Sequence, residues 1–307
     1  MAKFNRRIFL KWLLGLGASS FCHPLLSLPA EKIAIRKTIP SSGEQLPVIG
    51  MGSSRTFNLG DDEPALAVRV EVLQAFFDRG GAIIDSSPMY GSSEKVIGYC
   101  LERIKNKDAL FAATKVWTPG RWLGINQMNY SAKLWGVSRF DLMQVHNILD
   151  WETHIETLKE WRAEGKIRYM GITTSHGRRH KELLKVMKKG PFDFVQFTYN
   201  IIDREAEQYL LPLAAERGIA IIINRPFQRE ALFDYVNTKP LPIWAQEFDC
   251  ENWAQFFLKF IVSHPAVTCA IPATSRVDHM IENMGAGFGR LPDAETRQRM
   301  IQYFNGL

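Results

Sequence analysis

After Pro40 the chain alternates, eight times over, between a short apolar run and a longer amphipathic segment. The apolar runs lie at 47–52, 82–85, 110–116, 139–145, 167–172, 193–197, 219–223 and 267–271. They are bounded and mostly continuous, the pattern of strands buried on both faces of a parallel sheet. Between them, apolar residues recur at helical spacing. Leu66, Val70, Leu73 and Phe77 do so in 63–79, and Trp151, Ile155, Leu158 and Trp161 in 151–164. Arg79-Gly80, Glu164-Gly165, Lys189-Gly190 and Arg217-Gly218 each close a helical pattern just before a strand, where glycine supplies a left-handed C-cap. Eight such units in about 240 residues match the size of a closed (β/α)8 TIM barrel, about 250 residues. An open doubly wound sheet would carry a glycine-rich phosphate loop after its first strand. Here Gly50-Met51-Gly52-Ser53-Ser54 lacks the third glycine, so the α/β barrel is the expectation. Segment 32–46 reads as an N-terminal β-hairpin closing the barrel bottom. No linker interrupts 40–307, which predicts one barrel domain over 31–307.

The 307 residues carry a net charge of +6, which raises the question of a nucleic-acid partner. Lys3, Arg6, Arg7 and Lys11 sit in the first thirty residues, where no acid occurs. Without them, 34 basic residues face 32 acidic ones, and a nucleic-acid reading loses its support. The start of the chain instead reads as an address over 1–30: a basic opening, an apolar run from Trp12 to Leu28 and a cleavage site near Ala30. Asn5-Arg6-Arg7-Ile8-Phe9-Leu10-Lys11 resembles a twin-arginine export signal, which implies a twin-arginine translocase as partner and a periplasmic or otherwise exported product. An uncleaved membrane anchor is the rival. Lys11, His23, Pro24 and the glycines make this a poor spanning helix, so no stable membrane insertion is expected. Gly15-Leu16-Gly17-Ala18-Ser19-Ser20 has no preceding strand and is no dinucleotide loop. Cys22 falls in the address, leaving Cys100, Cys250 and Cys269, which are neither a disulfide framework nor a zinc site, with a single bridge in an oxidising compartment left open.

Chemistry in a barrel gathers where strands end and the following loops begin. The second strand ends at Asp85 and its loop carries Tyr90-Gly91. The third ends at Thr114-Lys115 and the fourth at Gln144-Val145-His146. Each residue alone has an ordinary reading as a turn cap, surface charge or packing ring. Together they suit carbonyl reduction. A phenol, with a reference pKa of about 10, is a poor acid at neutral pH. A nearby ammonium favours the phenolate, and a carboxylate keeps the ammonium charged. Tyr90 is then the proton donor, Lys115 tunes it, Asp85 holds Lys115, and His146 orients the substrate oxygen.

These segments resemble the catalytic signatures of the aldo-keto reductase family. Asp85-Ser86-Ser87-Pro88-Met89-Tyr90-Gly91-Ser92-Ser93-Glu94, Thr114-Lys115-Val116 and Asp141-Leu142-Met143-Gln144-Val145-His146-Asn147 match in order and spacing, within a resemblance covering roughly 33–307. The resemblance implies an eight-stranded barrel, a nicotinamide cofactor across its mouth, and Asp85, Tyr90, Lys115 and His146 as catalytic tetrad. It further implies that Gln196 holds the carboxamide, with Thr173 and Thr174 standing where Ser-Asn is common. Gly52, Ser53 and Ser54 would border the cofactor, and Thr274, Ser275, Arg276, Glu282 and Asn283 would take its adenosine end. Arg276 suits a 2′-phosphate, which favours NADP (NADPH) over NAD. After strand seven the family usually places an aromatic that stacks on the nicotinamide. Here the run is Asn224-Arg225-Pro226-Phe227, and Arg225 or Arg229 would reach the cofactor phosphates instead. Tyr199 and Trp117 suit either the mouth or packing. His176 and His180, four apart without an acidic or cysteine partner in the run, read as a solvated helix start, and no metal is expected. Lys181, Lys185, Lys188 and Lys189 read as an exposed face.

The expected function is NADP-dependent reduction of a small aldehyde or ketone. A nicotinamide-binding barrel with a regulatory or binding role and little turnover is the alternative. The substituted stacking position and the export address keep it open.

Overall fold

A computed structural model describes residues 33–307. The export reading of 1–30 and Cys22 lie outside them. Two short antiparallel strands open the fold, β1 (Arg36–Thr38) and β2 (Gln45–Pro47), with Arg36 opposite Pro47. The barrel follows in strict alternation: β3 (Met51–Gly52), α1 (Glu63–Asp78), β4 (Ile83–Asp85), α2 (Ser93–Leu101), β5 (Phe111–Val116), α3 (Arg121–Trp135), β6 (Phe140–Val145), α4 (Trp151–Ala163), β7 (Ile167–Thr173), α5 (His180–Lys189), β8 (Phe194–Thr198), α6 (Ala206–Glu216) and β9 (Ala220–Asn224). Then come α7 (Ala231–Val236), α8 (Trp253–Val262), β10 (Cys269–Ala270), α9 (Val277–Gly285) and α10 (Ala294–Asn305). The eight strands β3 to β10 pair in parallel in sequence order.

The seam between β10 and β3 is closed by backbone bonds. Gly50 N donates to Ala270 O (2.9 Å), Ala270 N to Val48 O (2.9 Å) and Gly52 N to Pro272 O (3.0 Å), with Ile49 bridging Ala270. The expected first strand, 47–52, is thereby divided. Pro47 has no N–H for a ladder and ends β2, Val48 to Gly50 span the seam, and Met51 and Gly52 pair with β4. The seam also explains Gly52, since a Cβ there would lie 2.9 Å from Ile271 O.

Parallel strands alternate their side chains between barrel interior and helix layer. The interior is filled by Ile83, Phe111, Ala113, Leu142, Tyr169, Phe194, Ile222 and Cys269. Phe111, Tyr169 and Phe194 form an aromatic layer with centroids 5.4–5.9 Å apart. Ile39 and Leu46 of the hairpin belong to the same cluster, so the hairpin plugs the bottom as expected. Tyr169 Oη donates to Ser42 Oγ (2.7 Å), and Arg168 ion-pairs with Glu44, which ties the hairpin turn to β7.

Gly80, Gly165 and Gly218 take the left-handed conformation expected of helix C-caps. Gly190 does not. It is extended (φ −87°), and what excludes a side chain there is space: a Cβ would lie 2.2 Å from the Phe192 ring. Cys100, Cys250 and Cys269 are free and buried. Among the described residues no helix is long and apolar enough to cross a membrane.

Candidate active site

Asp85, Lys115 and Gln144 lie on adjacent strands, with Lys115 in register with Gln144 and Gly52 with Asp85. Asp85 and Lys115 are almost wholly buried, and Lys115 Nζ meets Asp85 Oδ2 at 2.5 Å and Ser86 O at 2.7 Å. Asp85 Oδ1 accepts from Gln144 Nε2 and Gln196 Nε2, both at 2.9 Å. Burial alone would lower the pKa of Lys115. The Asp85 carboxylate reverses that, and the net effect holds the ammonium's pKa above its ordinary value. The pair is thus a fixed charge beneath the barrel mouth.

Tyr90 stands over this pair on the turn that leaves β4. Its N–H donates to Ser87 O (3.0 Å), and Gly91 follows in the left-handed region at φ 60°. Asn58 Oδ1 accepts from Ser92 N (2.9 Å) and thereby ties the first barrel loop to the turn. Lys115 Nζ lies 5.4 Å from the Tyr90 ring centroid, and the His146 ring meets it edge-on at 5.8 Å. Three strand ends therefore bring all four predicted catalytic residues to one place. The expected balance at Tyr90 differs. Burial pushes its pKa up, and this outweighs the downward pull of Lys115. Tyr90 therefore keeps its proton firmly before substrate arrives, as a proton donor must.

His146 is buried beside the Lys115 charge, and both effects pull its pKa down to about 2. It is neutral at any working pH. Its Nδ1 lies 2.8 Å from Ser87 Oγ, and that hydroxyl also accepts from Met89 N (3.4 Å). With the Ser87 hydroxyl donating to Nδ1, the ring would carry its hydrogen on Nε2, the tautomer that a carbonyl-holding role requires.

Around the ring, Thr173 and Asn224 end β7 and β9, Thr174 follows β7, and Gln196 lies two residues before the end of β8. Asn224 Nδ2 donates to Thr174 O (2.8 Å) and Gln196 Oε1 (3.4 Å), and its Oδ1 accepts from Thr198 Oγ1 (2.9 Å). Asn224 is thus a polar brace between strand ends. Gln196 links that brace to Asp85. Thr174 Oγ1 and Asn147 Oδ1 are buried with no hydrogen-bond partner in the chain. A carboxamide offers a donor for each, so this corner fits the nicotinamide end of a cofactor.

Ser53 is buried and its hydroxyl donates to Asp85 O (3.0 Å), while Ser54 is exposed. Thr274 Oγ1 accepts from Arg276 N (3.1 Å), and the Ser275 carbonyl accepts from Arg69 Nη1 (2.6 Å). Arg69 Nε also donates to Thr56 O (2.7 Å), so one guanidinium joins the first and last barrel loops. Arg276 is exposed and ion-paired with Asp278. Glu282 and Asn283 lie on α9, half-buried and buried respectively. Arg225 is half-buried just after β9.

Tyr199 belongs to packing: it is buried, and its hydroxyl bonds Glu207 (2.5 Å) and Arg297. Trp117 is 40% exposed after β5, its backbone held by Gln127. His180 is buried, its Nδ1 3.7 Å from Glu205 Oε2, rather than solvated. Among the described residues no group of three or more His, Cys, Asp or Glu side chains is arranged to hold a metal ion.

Sequence reasoning passed over Gln144, Glu94 and Arg69. Gln144 follows the inward-facing Leu142 by two residues, so strand periodicity pointed it at Asp85. Glu94 shares a helical face with Ile97 and Leu101, which marks a buried acid. It accepts from Thr114 Oγ1 (2.5 Å), Ser131 Oγ (2.7 Å) and Trp135 Nε1 (3.2 Å). Nothing local announced the long-range bonds of Arg69.

An eight-stranded parallel barrel with Asp, Tyr, Lys and His converging at its strand ends defines a carbonyl-handling oxidoreductase site. The chain belongs to the aldo/keto reductase family, whose model matches residues 48–299, and is an NAD(P)H-dependent oxidoreductase of that family. It is 26% identical to methylglyoxal reductase YeaE of Escherichia coli over 266 residues, covering 85% of this chain and 92% of that protein. It is 28% identical to aldo-keto reductase str7 of Strobilurus tenacellus over 298 residues, covering 81% and 86%. Among solved structures, an aldo/keto reductase from Klebsiella pneumoniae in complex with NADP and acetate superposes with a TM-score of 0.72. It shares 21% identity and covers 89% of this chain and 96% of that one.

Proposed function

We propose that this protein reduces a small aldehyde or ketone with NADPH, using Tyr90 as general acid. The observation that carries the reading is the buried Asp85–Lys115 pair beneath Tyr90, with neutral His146 edge-on to the same ring. Thr174 and Asn147 would hold the carboxamide, and Arg276 with Thr274 the 2′-phosphate. A bound nicotinamide supplies the hydride. The chain's own part is protonic. His146 Nε2–H holds the carbonyl oxygen, Tyr90 gives it a proton, and Lys115 offsets the charge left on the phenol oxygen.

Tyr90→Phe removes that proton and leaves the ring. Reduction of any accepted carbonyl should fall by about 10²–10⁴ with NADPH affinity retained. An unchanged rate rejects Tyr90 as donor. The NADP complex of the Klebsiella relative supports the choice of cofactor. Arg276 must leave Asp278 for a 2′-phosphate, so Arg276→Ala should weaken NADPH and spare NADH in fluorescence titrations. Equal losses would point to general loop damage.

For location, the paired arginines support export of the folded protein by the twin-arginine route. Arg6→Lys with Arg7→Lys keeps the charge, and folded protein should then stay in the cytoplasm. A shortened product appearing normally outside the inner membrane would refute this route.

A further inference from the structure

The loop after β9 holds two cations, Arg225 and Arg229, that make no ion pair among the described residues, although the Asp203 carboxylate acts on Arg225 from further off. Arg225 is half-buried at φ 49°, and Arg229, at φ 62°, follows one turn later. Among the described residues neither guanidinium has a carboxylate within ion-pair distance. The exposed Arg276 and Arg290, by contrast, each pair with an aspartate. The loop is not free to swing the charges away. Asn200 Nδ2 donates to Arg225 O (3.2 Å), Gln228 N to the same oxygen (3.1 Å), and Gln228 Nε2 reaches Asp203 Oδ2 (3.4 Å). Asn200 Oδ1 in turn accepts from Ile202 N (3.1 Å) and Asp203 N (2.9 Å), so the loops after β8 and β9 clamp one another.

Burial pulls the Arg225 pKa down and the exposed Arg229 pulls it further, against weaker upward pulls from Tyr90 and Asp203. A half-buried guanidinium with a second cation beside it favours an arriving anion. The position says which end of the mouth that anion occupies. Tyr90 and Arg225 follow β4 and β9, on either side of the β10–β3 seam, and the Arg225 cation adds a small downward pull on the Tyr90 pKa. A ligand whose carbonyl meets Tyr90 therefore lies in the field of Arg225. The residues suited to a 2′-phosphate sit on a different loop, after β10.

We propose that Arg225, backed by Arg229, recognises an anionic group of the substrate, and that the substrate is an aldehyde or ketone bearing a carboxylate. This rests on the reductase reading and narrows it. A guanidinium takes a carboxylate through two parallel N–H bonds, which fixes where the carbonyl lies as well as adding affinity. The other source of an anion at this loop is the cofactor pyrophosphate.

The test compares 4-carboxybenzaldehyde with methyl 4-formylbenzoate, two substrates with the same aldehyde and different charge. Wild-type kcat/KM should favour the carboxylate at least tenfold. Arg225→Met should lower that preference by about 10–100-fold, through KM, as expected for losing a hydrogen-bonded charge. Arg225→Lys should restore part of it. A preference that survives Arg225→Met overturns the proposal. So does an equal loss on both aldehydes with weakened NADPH binding, which assigns Arg225 to the pyrophosphate. Calorimetric titration of terephthalate into the NADP⁺-loaded protein needs no turnover. Binding that Arg225→Met abolishes supports the anion site even if neither aldehyde is reduced, in which case the reductase reading alone falls. Absence of terephthalate binding to the wild type overturns the proposal.

Discussion

Replacing Asp85 by Asn keeps the side-chain shape and removes the charge that faces Lys115. Asp85 accepts three hydrogen bonds, from Lys115, Gln144 and Gln196. An amide in its place has one oxygen for them, and its NH2 must point at a donor whichever way it turns. Among the described residues Asp85 is the only carboxylate in ion-pair contact with buried Lys115, Glu94 acting on it from further off, so the variant leaves a desolvated ammonium without its nearest counter-charge. Breaking a buried pair from one side costs about 3–5 kcal/mol. At roughly 2–4 °C per kcal/mol in domains of about 150–250 residues, the melting temperature should drop by at least about 6 °C. The loss carries a pH signature. Without Asp85, burial dominates Lys115 and moves its folded pKa below the ordinary 10.5. Between that lowered value and 10.5 the unfolded chain binds the extra proton, so stability rises with pH and the deficit shrinks from pH 7 to pH 10. Asp85→Asn combined with Lys115→Met removes both charges and should recover part of the loss at pH 7. Thermal and urea unfolding of wild type, Asp85→Asn and the double variant measure these losses. An Asp85→Asn protein melting within about 1 °C of wild type, or a double variant no better than the single one, would refute the buried-pair account.

The pH profile of reduction follows from the two groups above the pair. His146 is held near 2 and Tyr90 above its ordinary value, so kcat/KM should show no histidine limb between pH 5 and 8, and the limb for loss of the acid form should lie higher than an ordinary phenol's. An inflection near pH 6.5 that His146→Gln removes would contradict this. Gly91→Ala should cost about 1–3 kcal/mol in unfolding experiments and lower kcat, because Gly91 sits at φ 60° and a Cβ would lie 2.3 Å from Asn58 Oδ1. Asn58→Ala in the same chain removes the clash and keeps the backbone strain, so only partial recovery is expected.

The barrel was legible because its units are local. Each apolar run ends in polar residues, and each helix repeats its own apolar stripe. Boundaries shifted by a residue or so except at the last strand, which shrinks from 267–271 to Cys269–Ala270, and at the first, where Pro47 and the seam divide labour that periodicity cannot separate. The convergence of Asp85, Tyr90, Lys115 and His146 was legible for the same reason, since they lie at or just beyond the ends of consecutive strands. The partners of those side chains were not. Gln196 sits far from Asp85 in sequence, and its amide turns toward that carboxylate only because the barrel curves. The sign of the Tyr90 shift depends on how deeply the ring is buried, which no spacing reveals. Gly190 shows the converse: the right residue at the right place for a different reason, the Phe192 ring rather than a left-handed turn.

The seam places a constraint on synthesis. Ile49 and Ala270 bridge near the two ends of the described chain, so the sheet cannot become a ring until nearly all of it has left the ribosome. Until then β3 offers an unpaired edge, and whichever strand was made last offers another, both apt to pair with a neighbouring chain. Such distant pairings close slowly. A nascent chain of this kind spends its longest wait as an open sheet, and a fragment ending before Cys269 never leaves that state.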